Sequence, residues 1–426
     1  MTGIADRTVS SRSLVMGFLV LAYTLNFIDR QIVGILAEPI KADLRLTDSE
    51  LGWMGGTAFA LFYTALAIPL AMLADRKDRS WIITVGLALW SAATAVCGLA
   101  QNFWQLFAAR MSVGVGEAAG VAPAYSLISD LYPPEKRARA LAIFSLGIPL
   151  GSSLGVLFGG LLAAHVDWRF AFISIGLLGV LFAPAFKAVV RDPGHGRAEE
   201  GARATAPPLR TVFRAIAAKP AFWLLGFGAG TASLVSYGLA FWIPSFLARS
   251  YGLDLVDRSL ILAAILLVGG GAGIWFGGVF GDRLGNANPR GYALVPAVAF
   301  AITLPTYLLA FSVNSLSAAF FLFLIPTALG LTWLGPVVTA ITRLVPPEMR
   351  ATAAALFLFI NNLIGLGLGT WVIGAISDAL TGRYGDEALR YSAMATTSLY
   401  ALAALLMLLA AGRLQRDVVT APSSNA

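Results

Sequence analysis

Pro133-Pro134-Glu135-Lys136-Arg137-Ala138 closes one long apolar stretch of this chain, and a near copy, Pro346-Pro347-Glu348-Met349-Arg350-Ala351, closes another in the second half. A second pair stands at almost the same offset: Leu73-Ala74-Asp75-Arg76 and Phe280-Gly281-Asp282-Arg283. Either match alone is chance-prone. Together they imply a duplicated unit whose copies run parallel.

Hydropathy around these landmarks supports the duplication. A membrane-crossing helix needs about 20 mostly apolar residues. Such runs fall at 13–37, 50–74, 81–100, 104–130, 138–164 and 169–189, and again at 220–247, 258–282, 291–312, 316–343, 351–378 and 391–412. Between the sets, Arg191 to Lys219 is rich in Pro, Gly and charge, which is loop chemistry. The expected fold is an all-α membrane protein of twelve transmembrane helices in two six-helix bundles. The expected domains are an N-terminal bundle (1–190), a central loop (191–219), a C-terminal bundle (220–413) and a tail (414–426).

Composition agrees. The chain is 58% hydrophobic and 12% charged, with a mean hydropathy of +0.77. A soluble domain would carry about a quarter of its residues charged. With the N-terminus inside, 21 of the 30 lysines and arginines fall on the cytoplasmic side, 7 outside, and Arg30 and Arg110 within helices. That bias orients a membrane protein, and it places both termini and the central loop in the cytoplasm of a bacterial inner membrane. Scattered in this way, the net charge of +7 is not a nucleic-acid footprint. Cys97 is the only cysteine, so no disulfide forms within the chain. The polar first twelve residues lead into an apolar run without a small-residue cleavage site, as expected of an uncleaved first helix.

The landmarks resemble the major facilitator superfamily over essentially the whole chain. The stretch ending Asp75-Arg76-Lys77-Asp78-Arg79 is similar to that family's signature after helix two, except that Ala71 stands where a glycine is usual. Arg110-Met111-Ser112-Val113-Gly114-Val115-Gly116-Glu117 is similar to its helix-four motif. Asn26-Phe27-Ile28-Asp29-Arg30, combined with an acid on helix four, resembles the spinster branch of lysolipid and sphingolipid carriers, and is also similar to the superfamily's organic-anion symporters. The resemblance implies secondary active transport by alternating access, with no cofactor and no metal, in a monomer. It also implies that Asp75, Arg76, Arg79 and Asp130, with their counterparts Asp282 and Arg283, form a cytoplasmic gate. The plainer reading of such helix-end charges is interface anchoring.

Charges inside the spans carry the chemistry. An ionised side chain at mid-bilayer depth costs at least about 2.5 kcal/mol, so it needs a partner, water or a task. At 1.5 Å per residue, Asp29 lies about 24 Å along helix one, while Arg110 and Glu117 lie about 9 and 20 Å along helix four from the other side. Arg110 and Glu117 are two turns apart on one face, whereas Asp29 and Arg30 diverge by about 100°. Desolvation favours the neutral form of a carboxylate and a neighbouring guanidinium favours the charged form. Asp29 and Glu117 are therefore candidates for proton coupling. Arg30 and Arg110 present forked donors suited to phosphate or carboxylate, and with Asn26 they are candidate substrate contacts. The rival reading is a structural ion-pair lock between helices one and four.

The second half has no comparable mid-helix charge. It offers Tyr237, Phe241, Trp242, Thr332, Trp333, Phe357, Phe359, Asn361 and Asn362. Of these, Tyr237, Trp242, Trp333, Asn361 and Asn362 are candidate substrate contacts, although aromatic residues in membrane proteins more often pack or anchor. A cavity charged on one side and greasy on the other suits an anionic or zwitterionic amphiphile resembling a lysolipid or sphingoid phosphate. The alternative is a small carboxylate or sugar acid. Gly147, Gly151, Gly155 and Gly159 share one helix face, as do Gly269, Gly273, Gly277 and Gly281, and close packing between the two halves is expected there. His165 and His195 have no partners at metal spacing. A nucleophile elbow, a metal cluster and a Walker motif are all missing from the sequence, which argues against an enzyme and against ATP-driven transport.

Overall fold

The computed structural model describes residues 12–74, 76–194, 207–330 and 332–417, without the side chains of 134, 135, 138, 274–282, 285–287, 347 and 351. Asp75 and His195 therefore lie outside the described residues, as does the side chain of Asp282. Within the described residues every regular element is helical.

The first span is α1 (Arg12–Ile35), followed by the short α2 (Ala37–Leu44). The second is α3 (Asp48–Gly52), a π-helical turn (Trp53–Thr57) and α4 (Ala58–Ala74); the third is α5 (Arg79–Cys97). The fourth breaks at 118–120 into α6 (Phe103–Glu117) and α7 (Val121–Leu131). The fifth is α8 (Pro134–Ser145) and α9 (Gly147–His165), and the sixth is α10 (Trp168–Val189). After a short helix α11 (Leu209–Ala217) come α12 (Pro220–Tyr251), α13 (Leu255–Ala287) and α14 (Gly291–Ser312). The tenth span is α15 (Leu316–Leu329) with α16 (Leu334–Arg343), the eleventh α17 (Arg350–Tyr384), and the twelfth α18 (Ala388–Thr397) with α19 (Leu399–Asp417). Ten helical stretches are continuous, long and apolar enough to cross a membrane; the last, 352–417, holds two spans, and the broken fourth makes twelve.

Local chemistry sets many of the ends. The side chains of Asn102, Asp167, Asp254 and Ser315 accept backbone N–H groups that the first turns of α6, α10, α13 and α15 would leave unbonded. Thr47 and Glu50 form a reciprocal capping box at α3. Gly252, at φ +64°, ends α12 in the left-handed conformation that a side chain would strain.

The chain divides into two compact units: residues 1–36 with 61–202, and residues 37–60 with 203–426. In the first, α1 packs on α9, and α5 packs on α6 and α10. In the second, α12 packs on α17 and α19, α13 on α15, and α14 on α15 and α19.

The glycine ladders allow close approach as expected, but to different partners. Added side chains at Gly151 and Gly155 would strike Thr24, Phe27 and Ile28 of α1, and Gly159 faces Ile32. Gly269 and Gly273 abut Leu324, Thr327 and Ala328 of α15. Each ladder therefore packs within its own unit rather than between the halves, because the first and tenth spans lie along those glycine faces. The surroundings of Gly277 and Gly281 lie outside the described residues.

Candidate functional site

The polar interior of the first unit is built where α1 faces the broken fourth span. Arg30 Nε donates to Glu117 Oε2 at 2.8 Å, with the Glu117 side chain fully buried and that of Arg30 13% exposed. The guanidinium also lies over the rings of Phe27 and Tyr63, at 5.1 and 4.7 Å from their centroids. Asp29, one residue earlier and about 100° around the helix, is buried beside Thr94 of α5, within electrostatic reach of Arg110 and Glu117. Arg110, also buried, donates from Nη1 to the Asp29 main-chain carbonyl at 3.4 Å. Asn26 is buried near the Glu117 carboxylate. Thus five candidates, Asn26, Asp29, Arg30, Arg110 and Glu117, converge in one cluster. The divergence of Asp29 and Arg30 assigns Arg30, not Asp29, to the direct pair with Glu117. Glu117 is the last residue of α6, so the break in span four leaves helix ends beside this cluster.

The candidates of the second unit are spread along α12, the turn that leads into α16, and α17. Trp242 is buried and its indole donates to the Thr370 carbonyl at 2.8 Å, tying α12 to α17. Asn361 accepts the Ser233 hydroxyl at 2.9 Å. Trp333 is buried edge-on to Phe357, with centroids 6.1 Å apart. Tyr237 and Asn362 are half-buried.

At the end where α4 meets α5, Arg79 is fully buried and heavily bonded. Its guanidinium pairs with Asp130 and donates to Ser126 Oγ at 3.0 Å, to Asp192 through Nε at 2.9 Å and Nη2 at 2.5 Å, and to the Gly194 carbonyl at 3.1 Å. Burial by itself would raise the Asp192 carboxyl; hydrogen bonds from the Arg79 side chain, the Arg79 N–H and the Gly194 N–H overcome this and lower it to about 2. Arg79 and Asp130 thus meet as a pair, joined by Asp192, which sequence reasoning missed. Its signal was a lone carboxylate just past the sixth span, in Asp192-Pro193. Arg76 and Arg283 are exposed.

A second network also went unforeseen. Within the second unit, Arg249 grips both oxygens of Asp48 at 2.7 Å and reaches Glu38 at 2.8 Å. Lys41 and Ser377 complete Asp48 at 2.6 and 2.7 Å. Asp378 accepts the N–H groups of Asp48 and Ser49, at 3.0 and 2.7 Å, and the Ser49 hydroxyl, capping α3 from α17. Glycines 52, 55 and 56 bring this stretch against Thr370, Trp371 and Phe241. These charges sit at helix ends, where sequence alone cannot separate anchoring from pairing.

A family profile described as Major Facilitator Superfamily matches residues 19–370. An "MFS-type efflux pump" of Mycolicibacterium smegmatis is 34% identical over 98% of this chain and 97% of its own. "Protein spinster homolog 1" of Homo sapiens is 32% identical over 86% of this chain and 73% of its own. Among solved structures, a bacterial homologue of the human lysosomal transporter Spinster, in an inward-facing conformation, superposes with a TM-score of 0.86 at 31% identity, covering 98% of this chain and all of that one. A nucleoside transporter at 11% identity, with a TM-score of 0.73, shares the fold.

Proposed function

Because this chain belongs to the major facilitator superfamily, as a spinster-type secondary transporter working by alternating access, we propose that it carries an amphiphile with an anionic or zwitterionic head and couples that movement to protons through Glu117 and Asp29. The observation that carries this reading is the buried Arg30–Glu117 pair with Asp29 and Arg110 beside it. A buried carboxylate is tolerated in its charged form while a guanidinium faces it. A substrate phosphate or carboxylate that takes over Arg30 or Arg110 withdraws that compensation, and the released carboxylate then accepts a proton. Anion occupancy and protonation are linked in this way without any covalent step.

The interior of the second unit is different in kind. Its candidate contacts Tyr237, Trp242, Trp333, Asn361 and Asn362 are aromatic and amide groups, which suit an apolar chain better than a second charge. This asymmetry supports a lysolipid-like or sphingoid-phosphate-like substrate. A small organic anion is the alternative, favoured by the same arginines without the aromatic groups. The efflux-pump relative favours export as the direction.

In this scheme the monomer sits in a bacterial inner membrane with both termini cytoplasmic. Bundles 1–190 and 220–413 flank the loop 191–219, and 414–426 forms the tail. Asp75, Arg76, Arg79, Asp130, Asp282 and Arg283 serve the cytoplasmic gate, with Asp192 holding Arg79 in place.

The test is thermal stabilisation of the purified protein by lysophospholipids, sphingoid phosphates and small carboxylates, in mildly acidic and neutral buffer. A ligand that binds only the native state raises the melting temperature by mass action. Stabilisation by single-chain phospholipids that vanishes in Arg110→Ala is expected. Stabilisation by small carboxylates alone would transfer the assignment to organic anions, and no response from either class would refute the anion-binding role.

A further inference from the structure

The polar linker ends in α11, a short helix with two unlike sides. Val212 and Ile216, one turn apart, are fully buried where α11 packs on α17 and α12. Leu209 and Phe213, also one turn apart, remain 54% and 45% exposed, with exposed Arg210 and Arg214 beside them. A face that mixes bare apolar groups with guanidiniums is at home at a membrane boundary, where rings enter the acyl region and cations meet headgroups. The aromatic surface continues onto α12. Phe213 meets Trp223 edge-on at 6.5 Å, and Trp223 stacks on the exposed Phe227 at 5.9 Å. The Trp223 indole donates to the Ala217 carbonyl at 3.1 Å, which fastens α11 to α12.

Beside this ladder opens a cavity of about 520 Å³, with Ala217, Ala218, Trp223 and Leu224 on one side and Leu409 and Arg413 of α19 on the other. Arg413 is exposed and has no hydrogen bond or ion pair to any described residue. Arg214 precedes Ala217 and Ala218 by three and four residues, so it shares their side of α11, and Arg210 lies one turn further back. Asp417, a turn beyond Arg413, is occupied: its carboxylate accepts the Ala221 N–H at 3.0 Å, and Lys219 donates to its main-chain carbonyl at 2.5 Å.

We propose that this end of the second unit holds an anionic phospholipid of the bilayer, its phosphate between Arg413 and Arg214 and an acyl chain along Leu224, Leu409 and Phe227. Guanidinium forks match phosphate oxygens, and basic pockets between helices at the cytoplasmic side of membrane proteins take such headgroups. A free anion would use the arginines and leave the apolar wall without purpose; a zwitterionic lipid would use the wall and weaken at the arginines. The lipid is a resident of the annulus, distinct from the transported cargo, and none of its contacts belongs to the Asp29–Glu117 cluster.

Native mass spectrometry of the full chain, supplied with equal phosphatidylglycerol and phosphatidylcholine, tests it. Phosphatidylglycerol is expected to be retained preferentially, with retention falling about fivefold for each cation removed in Arg214→Gln and Arg413→Gln. The double lysine variant should keep most of it. Leu409→Gln, which leaves the charges in place, should weaken phosphatidylglycerol as well. Equal retention of both lipids, wild-type retention in the double glutamine variant, or equal protection by inorganic phosphate in a melting assay would overturn the proposal.

Discussion

Inside the spans of the N-terminal unit, Asp29, Arg110 and Glu117 are buried and Arg30 nearly so, held together by pairing across α1 and α6. In spans seven to twelve of the C-terminal unit, the one buried charge among the described residues is Arg258, in the first turns of α13, and the interior bonds run instead through neutral groups such as Ser233 to Asn361 and Trp242 to Thr370. Two copies of one repeat have thus kept the same helical frame with different interiors. The frame needs only apolar surface, close approach at glycines and satisfied helix ends, and any paired or neutral interior meets those terms. Among the described residues, mid-span charge is therefore carried by one copy of the frame and neutral hydrogen bonding by the other.

The largest expected effect separates these interiors. Glu117→Ala leaves Arg30 buried without its carboxylate and should cost about 3–5 kcal/mol, against about 1–3 kcal/mol for Asn361→Ala, as read by denaturation in detergent. Equal losses would break the contrast. The landmark arginines sharpen it next. Arg79→Ala strands Asp130 and Asp192 and should cost about 3 kcal/mol, whereas the exposed Arg283 should tolerate alanine within about 0.5 kcal/mol.

A smaller effect follows from Asp192. Its carboxyl is lowered to about 2 in the folded protein, so its stabilising contribution is fully present above the ordinary carboxylate value and is lost as pH falls through about 2. Melting temperature should therefore drop on acidification below about pH 4, and Asp192→Asn should flatten that limb. An unchanged acid limb in the variant would remove Asp192 from the Arg79 assembly.

The spans, the repeat and the crowding of charge onto helices one and four were all legible in the sequence, because hydropathy and intramembrane charge are local signals. Partner choice was not. The sequence places Asp29 and Arg30 on diverging faces without saying which meets Glu117, since that depends on helix rotation. The break at 118–120 does not show in hydropathy; its signal is Pro123, which has no N–H for the carbonyl of Ala119, with Gly120 beside it. Asp192, Asp48 and Arg249 look like ordinary helix-end charges until the fold sets Asp192 against Arg79 and Asp48 against Arg249. The glycine ladders announced close approach, but a small residue does not name the helix that fills its groove, and here α1 and α15 do so.

The most direct test of the account is the efflux of a fluorescent lysophospholipid from proteoliposomes, with and without a pH gradient, by wild type and Glu117→Gln. The gradient is expected to accelerate wild type, while the variant exchanges lipid at a rate indifferent to the gradient. A Glu117→Gln protein that keeps the wild-type response would contradict it.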